Sequence, residues 1–252
     1  MTRDEAVAEL LLTMADDEFV LGYWDSEWTG IAPMLEEDVA MSSLAQDEIG
    51  HARLWHELRR ELTGEDPDAV AYGRQPADFR HARLLDHPRT DWAFSVCRRW
   101  LFDTADAVRL DALVVSSWQP LAQAVEKVRR EERYHLLHAD AWMRRLAAAE
   151  GEARRRLDRA FEALRADAAT VFTPLATEDD LVGSGVISAP MRELEARWLD
   201  RIRPLLAEIG RAEWLPAPAP SDGRSGHEAS ESFVWLWNEF TSVARIEAGA
   251  TW

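Results

Sequence analysis

The sequence predicts an all-α protein. Apolar residues recur at steps of three and four positions along several long segments, which is the spacing of the buried stripe on an amphipathic helix. No segment alternates polar and apolar residues over the length of a strand, and β-branched residues are sparse. Glycine and proline lie between the helical segments, where they end one helix or begin the next.

The first two predicted helices are separated by a short break. The first helix covers about residues 4–28, and the segment Thr29-Gly30-Ile31-Ala32-Pro33 interrupts it. Pro33 suits the first turn of a second helix, because its fixed φ is compatible with that position. The second helix runs to about residue 62, and Gly64 can act as its C-cap.

A long connection, residues 64–90, separates this pair of helices from the next pair. Thr90 is the expected N-cap of a third helix that runs to about residue 117. A fourth helix begins near Pro120 and reaches about residue 149. The loop before it is short, so these two helices are antiparallel neighbours. Two helix pairs joined by a long crossover are the architecture of a ferritin-like four-helix bundle.

Three further helices are expected beyond the bundle, at about residues 152–172, 189–209 and 228–247. A turn near Gly183 and an extended linker at 216–223 separate them. The last helix carries aromatic residues that need a surface to cover, either the bundle or a partner. We therefore predict one ferritin-like domain over residues 1–252, with a core bundle at about 4–149 and a C-terminal helical extension at about 150–252.

Two Glu-x-x-His motifs carry most of the functional information: Glu48-Ile49-Gly50-His51 and Glu132-Arg133-Tyr134-His135. An acidic residue precedes each motif at nearly the same distance, since Glu18 lies 30 positions before Glu48 and Asp103 lies 29 positions before Glu132. The motif alone is weak evidence, because chance yields roughly 0.7 such pairs in a chain of this composition. All these residues, however, fall within the apolar stripes and so occupy core positions.

Burying an ionised carboxylate without a partner costs several kcal/mol or more. Four carboxylates and two imidazoles in one core therefore need compensating cations, and two iron ions, with manganese as the alternative metal, meet that need. Six residues match the ligand set of a di-iron carboxylate bundle: Glu18, Glu48, His51, Asp103, Glu132 and His135. The alternative is that some of them pair with arginines or lie at the edge of a stripe.

Charge and cysteine content limit the class of protein. The net charge of −17 argues against general nucleic-acid binding and against a basic helix on a membrane surface. No apolar run approaches the ~18 residues of a membrane span, and no signal peptide is recognisable in the acidic N-terminal segment. Cys97 is the sole cysteine, so no intrachain disulfide can form, and a cytoplasmic location is expected.

The chain resembles the phenylacetic-acid-catabolic family of ferritin-like proteins in several segments: Ala32-Pro33, Ala45-Gln46-Asp47-Glu48-Ile49-Gly50-His51, Trp100-Leu101-Phe102-Asp103 and Arg130-Glu131-Glu132-Arg133-Tyr134-His135. Members of this family are large subunits of a multicomponent bacterial oxygenase that epoxidises the ring of phenylacetyl-CoA. The six candidate ligands are similar to the metal set of the catalytic subunit. The chain length and the tail that ends in Trp252 look like the structural subunit, which lacks most of those ligands.

The resemblance implies a di-iron monooxygenase subunit of the phenylacetyl-CoA epoxidase type, which activates dioxygen for oxygen insertion into an aromatic or other acyl-CoA. Two alternatives stay open: a non-catalytic structural subunit of such a complex, and a ferritin-like metal-binding protein without oxygenase activity. The implied partners are a separate reductase and either a sister subunit or a second copy of the chain in a dimer. Asp47 and Asp106 are candidate hydrogen-bond partners for the histidine ring nitrogens, and the alternative is that they are solvated surface acids. Gly22 marks either a close helix contact, which is favoured, or room for substrate beside the metals.

Overall fold

The computed structural model describes residues 2–224 and 229–246. Within these residues there are nine α-helices and no strand, which confirms the all-α, ferritin-like prediction. The helices are α1 (Arg3–Ser26), α2 (Leu35–Thr63), α3 (Pro67–Gly73), α4 (Trp92–Leu113), α5 (Gln119–Ala148), α6 (Glu152–Leu164), α7 (Glu178–Gly183), α8 (Met191–Glu208) and α9 (Glu231–Ile246). None of them, over these ranges, is long and apolar enough to cross a membrane.

Helices α1, α2, α4 and α5 form the core bundle. α1 packs along α2, α4 packs along α5, and α2 meets α5 to close the bundle. The later helices surround this core, because α6 and α8 cover α4 while α7 and α9 contact α1. The aromatic face of α9 is buried through Phe233 and Phe240, so it covers the bundle. That the chain is one domain, with a core bundle up to about residue 149 and a C-terminal extension from about residue 150, stays a prediction.

Helix termini follow the capping signals with two corrections, at Thr90 and at Pro33. Gly64 ends α2 in the left-handed conformation, with φ 76°, as predicted. The prediction that Thr90 caps α4 is wrong. Thr90 has φ 44° and lies one residue outside the cap, and the Asp91 carboxylate accepts a hydrogen bond of 2.9 Å from the backbone N–H of Phe94. Similarly, α2 begins at Leu35, two residues after Pro33.

Short elements replace three segments that were assigned differently from the sequence. The crossover contains α3, which is capped by the Asp66 carboxylate and begins with Pro67. The helix expected over 152–172 ends at Leu164 and is followed by a 3₁₀ turn, Thr170–Phe172. The turn expected near Gly183 is the end of α7. These elements are too short for a periodic signal, so their caps and packing decide them.

Three consecutive acids on α1 point in three directions, because successive helical residues are ~100° apart. Asp16 pairs with Arg74 and accepts a 2.7 Å hydrogen bond from the backbone N–H of Arg80, which ties the crossover to α1. Glu18 faces the centre of the bundle, where it contacts α2. Asp17 lies between these directions and is fully buried.

Asp17 joins three parts of the chain. Its carboxylate accepts hydrogen bonds from Arg109 of α4 at 2.6 Å, from Arg224 at 2.9 Å and from the backbone N–H of Ala82 at 2.8 Å. Arg109 also donates to Asp106. The core bundle, the crossover and the segment before α9 therefore share one buried ionic cluster.

Gly22 allows α1 and α2 to approach closely beside Glu48. A Cβ atom at Gly22 would lie 2.9 Å from Ile49 Cγ1, 3.0 Å from the carbonyl oxygen of Ala45 and 3.1 Å from Glu48 Cβ. The backbone contact cannot move without shifting a helix. The close contact supports the interpretation of this glycine as a helix-packing position.

We expect Gly22→Ala to lower the free energy of unfolding by about 1–3 kcal/mol, because overpacking forces α1 and α2 apart. Urea denaturation measures this change. Gly50→Ala is the matched control: it lies in α2, and an added Cβ meets nothing within 4 Å, so helix propensity favours the substitution by up to ~1 kcal/mol. Equal effects of the two substitutions would contradict the packing argument.

Candidate metal centre

Four buried side chains from three helices converge at the centre of the bundle: Glu18 on α1, Glu48 and His51 on α2, and Glu132 on α5. Each offers a ligand atom within 4.8 Å of the others, so this cluster could hold a metal ion. His135 borders the group, with Nδ1 2.9 Å from Glu132 Oε1 and 3.2 Å from Glu48 Oε1. Asp103 of α4 is fully buried beside them. The six residues predicted from the sequence thus face one core, and their role as ligands stays a prediction.

The two histidines are oriented alike. His51 Nδ1 lies 2.9 Å from Glu18 Oε2, and its Nε2 lies 2.8 Å from Glu131 Oε2. His135 directs Nδ1 inward and places Nε2 3.3 Å from Asp47 Oδ2. A carboxylate on the outer nitrogen orients the ring and leaves the inner nitrogen for a metal ion, which is the usual arrangement around histidine ligands.

The outer carboxylates are exchanged between the motifs. Asp47 directly precedes Glu48 but bonds to His135 of the other motif, whereas Glu131 directly precedes Glu132 but bonds to His51. Asp47 therefore does lie at a histidine ring nitrogen, and its role in supporting a metal ligand stays a prediction. Sequence reasoning missed Glu131, although the acid before the glutamate in both motifs was a usable signal.

Asp106, the other candidate partner for a histidine, is engaged elsewhere. Its Oδ1 accepts two hydrogen bonds from Arg109, at 2.9 Å and 2.6 Å. Arg109 lies three positions after Asp106 on the same helix, a spacing at which the two side chains meet. The prediction that it orients a histidine is wrong.

Several carboxylate oxygens in the cluster fit a metal ion. Glu48 Oε2, Glu132 Oε2 and both oxygens of Asp103 are buried and accept no hydrogen bond from any residue that the structure describes, although Asp103 Oδ2 lies 3.3 Å from Arg99 Nε. Buried acceptors without a hydrogen bond are rare because burial removes their hydration. Oxygen and imidazole donors together suit iron or manganese.

Protonation compensates part of the charge when no metal ion is bound. Burial alone would lower the pKa of His51, but the charges of Glu18 and Glu132 raise it to about 12. Burial raises the pKa of Glu18 and of Asp103 well above the ordinary range of a carboxyl group. Because a metal ligand must be deprotonated, metal binding here displaces protons.

Arg99 of α4 also enters the cluster, and sequence reasoning missed it. Its guanidinium donates to Glu48 Oε1 at 2.5 Å, and its Nε lies 3.3 Å from Asp103 Oδ2. The same Nη2 is 2.8 Å from His135 Nδ1, while Nη1 pairs with buried Asp25 of α1. The alternative that some candidate ligands pair with an arginine is thus realised on one side of the cluster.

A cavity of about 460 Å³ lies beside Glu132, between α4 and α5. Its apolar wall consists of Ala107, Leu110, Val114 and Leu136. Four arginines also line it: Arg129, Arg130, Arg133 and Arg201. Asp111 and Glu126 line it as well, and Asp111 pairs with Arg129 and Arg201. The cavity therefore combines an apolar surface with both basic and acidic side chains next to the carboxylate–histidine cluster.

Comparison with known proteins shows which family the sequence is similar to. A profile described as "Phenylacetic acid catabolic protein" matches residues 1–252. The chain is similar to the C subunit of 1,2-phenylacetyl-CoA epoxidase from Escherichia coli (strain K12), with 29% identity over 245 residues, 96% of this chain and 97% of the relative. It is also similar to the A subunit of that epoxidase from the same organism, with 24% identity over 229 residues, 87% of this chain and 71% of the relative.

Proposed function

The chain belongs to the phenylacetic acid catabolic protein family, and on that premise we propose that it is the metal-binding oxygenase component of a complex of the phenylacetyl-CoA epoxidase type. Its reaction is dioxygen activation for oxygen insertion into an aromatic or other acyl-CoA. The observation that carries this proposal is the buried cluster of Glu18, Glu48, His51 and Glu132, whose ligand atoms lie within 4.8 Å of one another.

The proposed metal is iron, with manganese as the alternative, and the proposed ligand set is the full group of six: Glu18, Glu48, His51, Asp103, Glu132 and His135. When bound, iron supplies the redox chemistry that dioxygen activation requires. The protein supplies the geometry around it. Glu131 and Asp47 hold the two imidazoles in place through their outer nitrogens, and Trp55 Nε1 donates to Glu18 Oε1 at 3.1 Å.

The substrate class is supported by the cavity beside Glu132. An acyl or aryl group fits its apolar wall, and Arg130 and Arg133, which do not pair with Asp111, suit the phosphates of a coenzyme A moiety. A separate reductase supplies electrons, since no flavin or iron–sulfur motif is present in the sequence. A sister subunit or a second copy completes the proposed complex, and we place it in the cytoplasm.

A second candidate function is that of a structural subunit, which stabilises a catalytic partner. One observation favours it: Arg99 already forms ion pairs with Glu48 and Asp103. In this alternative, the buried acids are held by arginine and protons instead of metal ions.

Iron content and oxygen consumption distinguish these functions. The protein is produced in iron-supplemented medium, and iron per chain is measured by elemental analysis. Oxygen uptake is then followed with a reductase, NADH and phenylacetyl-CoA, without and with the sister subunit. We expect bound iron and uptake that depends on the acyl-CoA. Iron-free protein after iron loading supports the structural role, and bound iron without uptake in either condition supports a metal-binding protein without oxygenase activity.

A further inference from the structure

We infer that Arg99 is a resident cation of the metal centre: it fills the Asp103–His135 side, so the chain binds one divalent metal ion at the Glu18–His51 side instead of two. This inference rests on the proposed metal site and narrows its ligand set from six residues to Glu18, Glu48, His51 and Glu132. The pattern of ligands in the sequence is twofold, whereas the structure divides the six residues unequally. The four whose ligand atoms lie within 4.8 Å of one another exclude Asp103 and His135.

Arg99 contacts the two excluded residues directly. Its Nη2 is 2.8 Å from His135 Nδ1, and its Nε is 3.3 Å from Asp103 Oδ2. The guanidinium thus lies against the inward nitrogen of His135 and against the carboxylate of Asp103. A metal ion that bound both residues would have to occupy the place of this guanidinium.

On the opposite side, no arginine in the described part of the chain forms an ion pair with Glu18 or His51. His51 Nδ1 faces Glu18 Oε2 at 2.9 Å and Glu132 Oε1 at 3.4 Å. The corresponding position on α1 explains the difference. Arg99 lies four residues before Asp103, one turn away on the same face, whereas the residue four positions before Glu18 is the buried, apolar Met14. The two halves of the duplicated pattern thus differ by one buried positive charge, that of Arg99.

Arg99 is held in place from its far end. Its Nη1 pairs with Asp25, which lies seven residues after Glu18 and so on the same face of α1. The guanidinium is 1% exposed and bridges Asp25 and Glu48 across two helices. Moving it away would break the ion pairs with Asp25 and Glu48, and Asp25 would keep only Arg98, 3.6 Å away. Breaking buried ion pairs in this way is strongly unfavourable. A second metal ion must therefore compete with Arg99.

Cobalt(II) titration of the full chain tests this inference. Bound cobalt per chain is measured by equilibrium dialysis and elemental analysis, and electron paramagnetic resonance reports whether the ions are isolated or coupled. We expect one isolated ion in the wild type and two ions in Arg99→Gln. The matched control is Arg98→Gln, because Arg98 is equally buried and lies near Asp25 but forms no ion pair with the six candidate ligands in the described part of the chain. It should retain one ion.

Two ions in both the wild type and Arg99→Gln would overturn the inference while leaving the proposed metal site intact. If none of the proteins binds cobalt, the proposed metal site itself is contradicted. Two ions in Arg98→Gln would overturn the specific role of Arg99. Histidine variants keep the test decisive if Arg99→Gln does not fold: His135→Ala should retain the single ion, whereas His51→Ala should lose it. The reverse result contradicts the inference.

Discussion

Glu48→Ala is expected to lower the affinity of the cluster for divalent metal ions by at least about 10²-fold, because the Glu48 carboxylate lies close to the ring nitrogens of both His51 and His135. Its Oε1 lies 3.2 Å from His135 Nδ1, and its Oε2 is buried without a hydrogen bond from the described residues. Loss of even an outer-sphere partner typically costs 10–100-fold in metal affinity, so loss of a ligand costs at least as much.

Isothermal titration with cobalt(II) or iron(II) under anaerobic conditions measures this loss. Glu61→Ala is the matched control, since Glu61 lies on the same helix but is exposed to solvent, away from the cluster. Circular dichroism establishes that both variants fold. Unchanged affinity in a folded Glu48→Ala protein would remove Glu48 from the ligand set and weaken the metal-site proposal.

Asp17→Asn is expected to lower the free energy of unfolding by about 3–5 kcal/mol, the usual cost of breaking a buried ion pair from one side. Asp17 is fully buried, and its carboxylate accepts hydrogen bonds from Arg109 and Arg224. The neutral amide leaves two buried guanidinium groups without their shared counter-charge. It also offers a poorer acceptor to the backbone N–H of Ala82. The crossover and the segment before α9 should loosen together.

The pH dependence gives this prediction a second readout. Burial opposes ionisation of Asp17, but the charges of Arg224 and Arg109 hold its pKa below the ordinary value. A lowered pKa stabilises the fold above the unfolded pKa of about 3.9, and that stabilisation disappears as the pH falls through the folded value. The difference between the wild type and Asp17→Asn should therefore be largest at neutral pH and shrink in acid.

Urea denaturation at several pH values measures both effects. Asp200→Asn is the control, because its carboxylate pairs with Arg203 on the exposed surface of α8 and such pairs contribute about 0–1 kcal/mol. A loss in Asp17→Asn no larger than in Asp200→Asn would contradict the account of Asp17 as a buried junction. So would a difference that grows as the pH falls.

The long helices could be predicted because each carries a buried stripe over many turns. Short elements could not, since α3 and α7 contain too few residues for periodicity. α7 depends on distant partners: Thr177, just before it, donates to Glu9 of α1, and its Glu178 accepts from the backbone N–H of Met191. The end of α6 at Leu164 likewise depends on packing. Tertiary contacts decide these segments.

On α4, hydrophobic periodicity does not identify which residues face the cluster. On α2 and α5, one face is buried and the other is exposed, so a polar residue within the stripe identifies itself. On α4, the bundle lies on one side while α6 and α8 cover the other, and 20 of its 22 residues are buried. Periodicity there cannot separate Asp103, which faces the cluster, from Arg99, which enters it.

Sequence periodicity was sufficient to bring two Glu-x-x-His motifs and two further acids into one core, because a helix has a fixed number of residues per turn and the apolar stripe must be buried. Which charges compensate those acids depends on how the helices cross. Asp25 on α1 draws Arg99 of α4 over Glu48, and each motif's outer carboxylate reaches the histidine of the other motif. Such contacts join residues far apart in the chain, so electrostatic balance at the centre is a property of the assembled bundle.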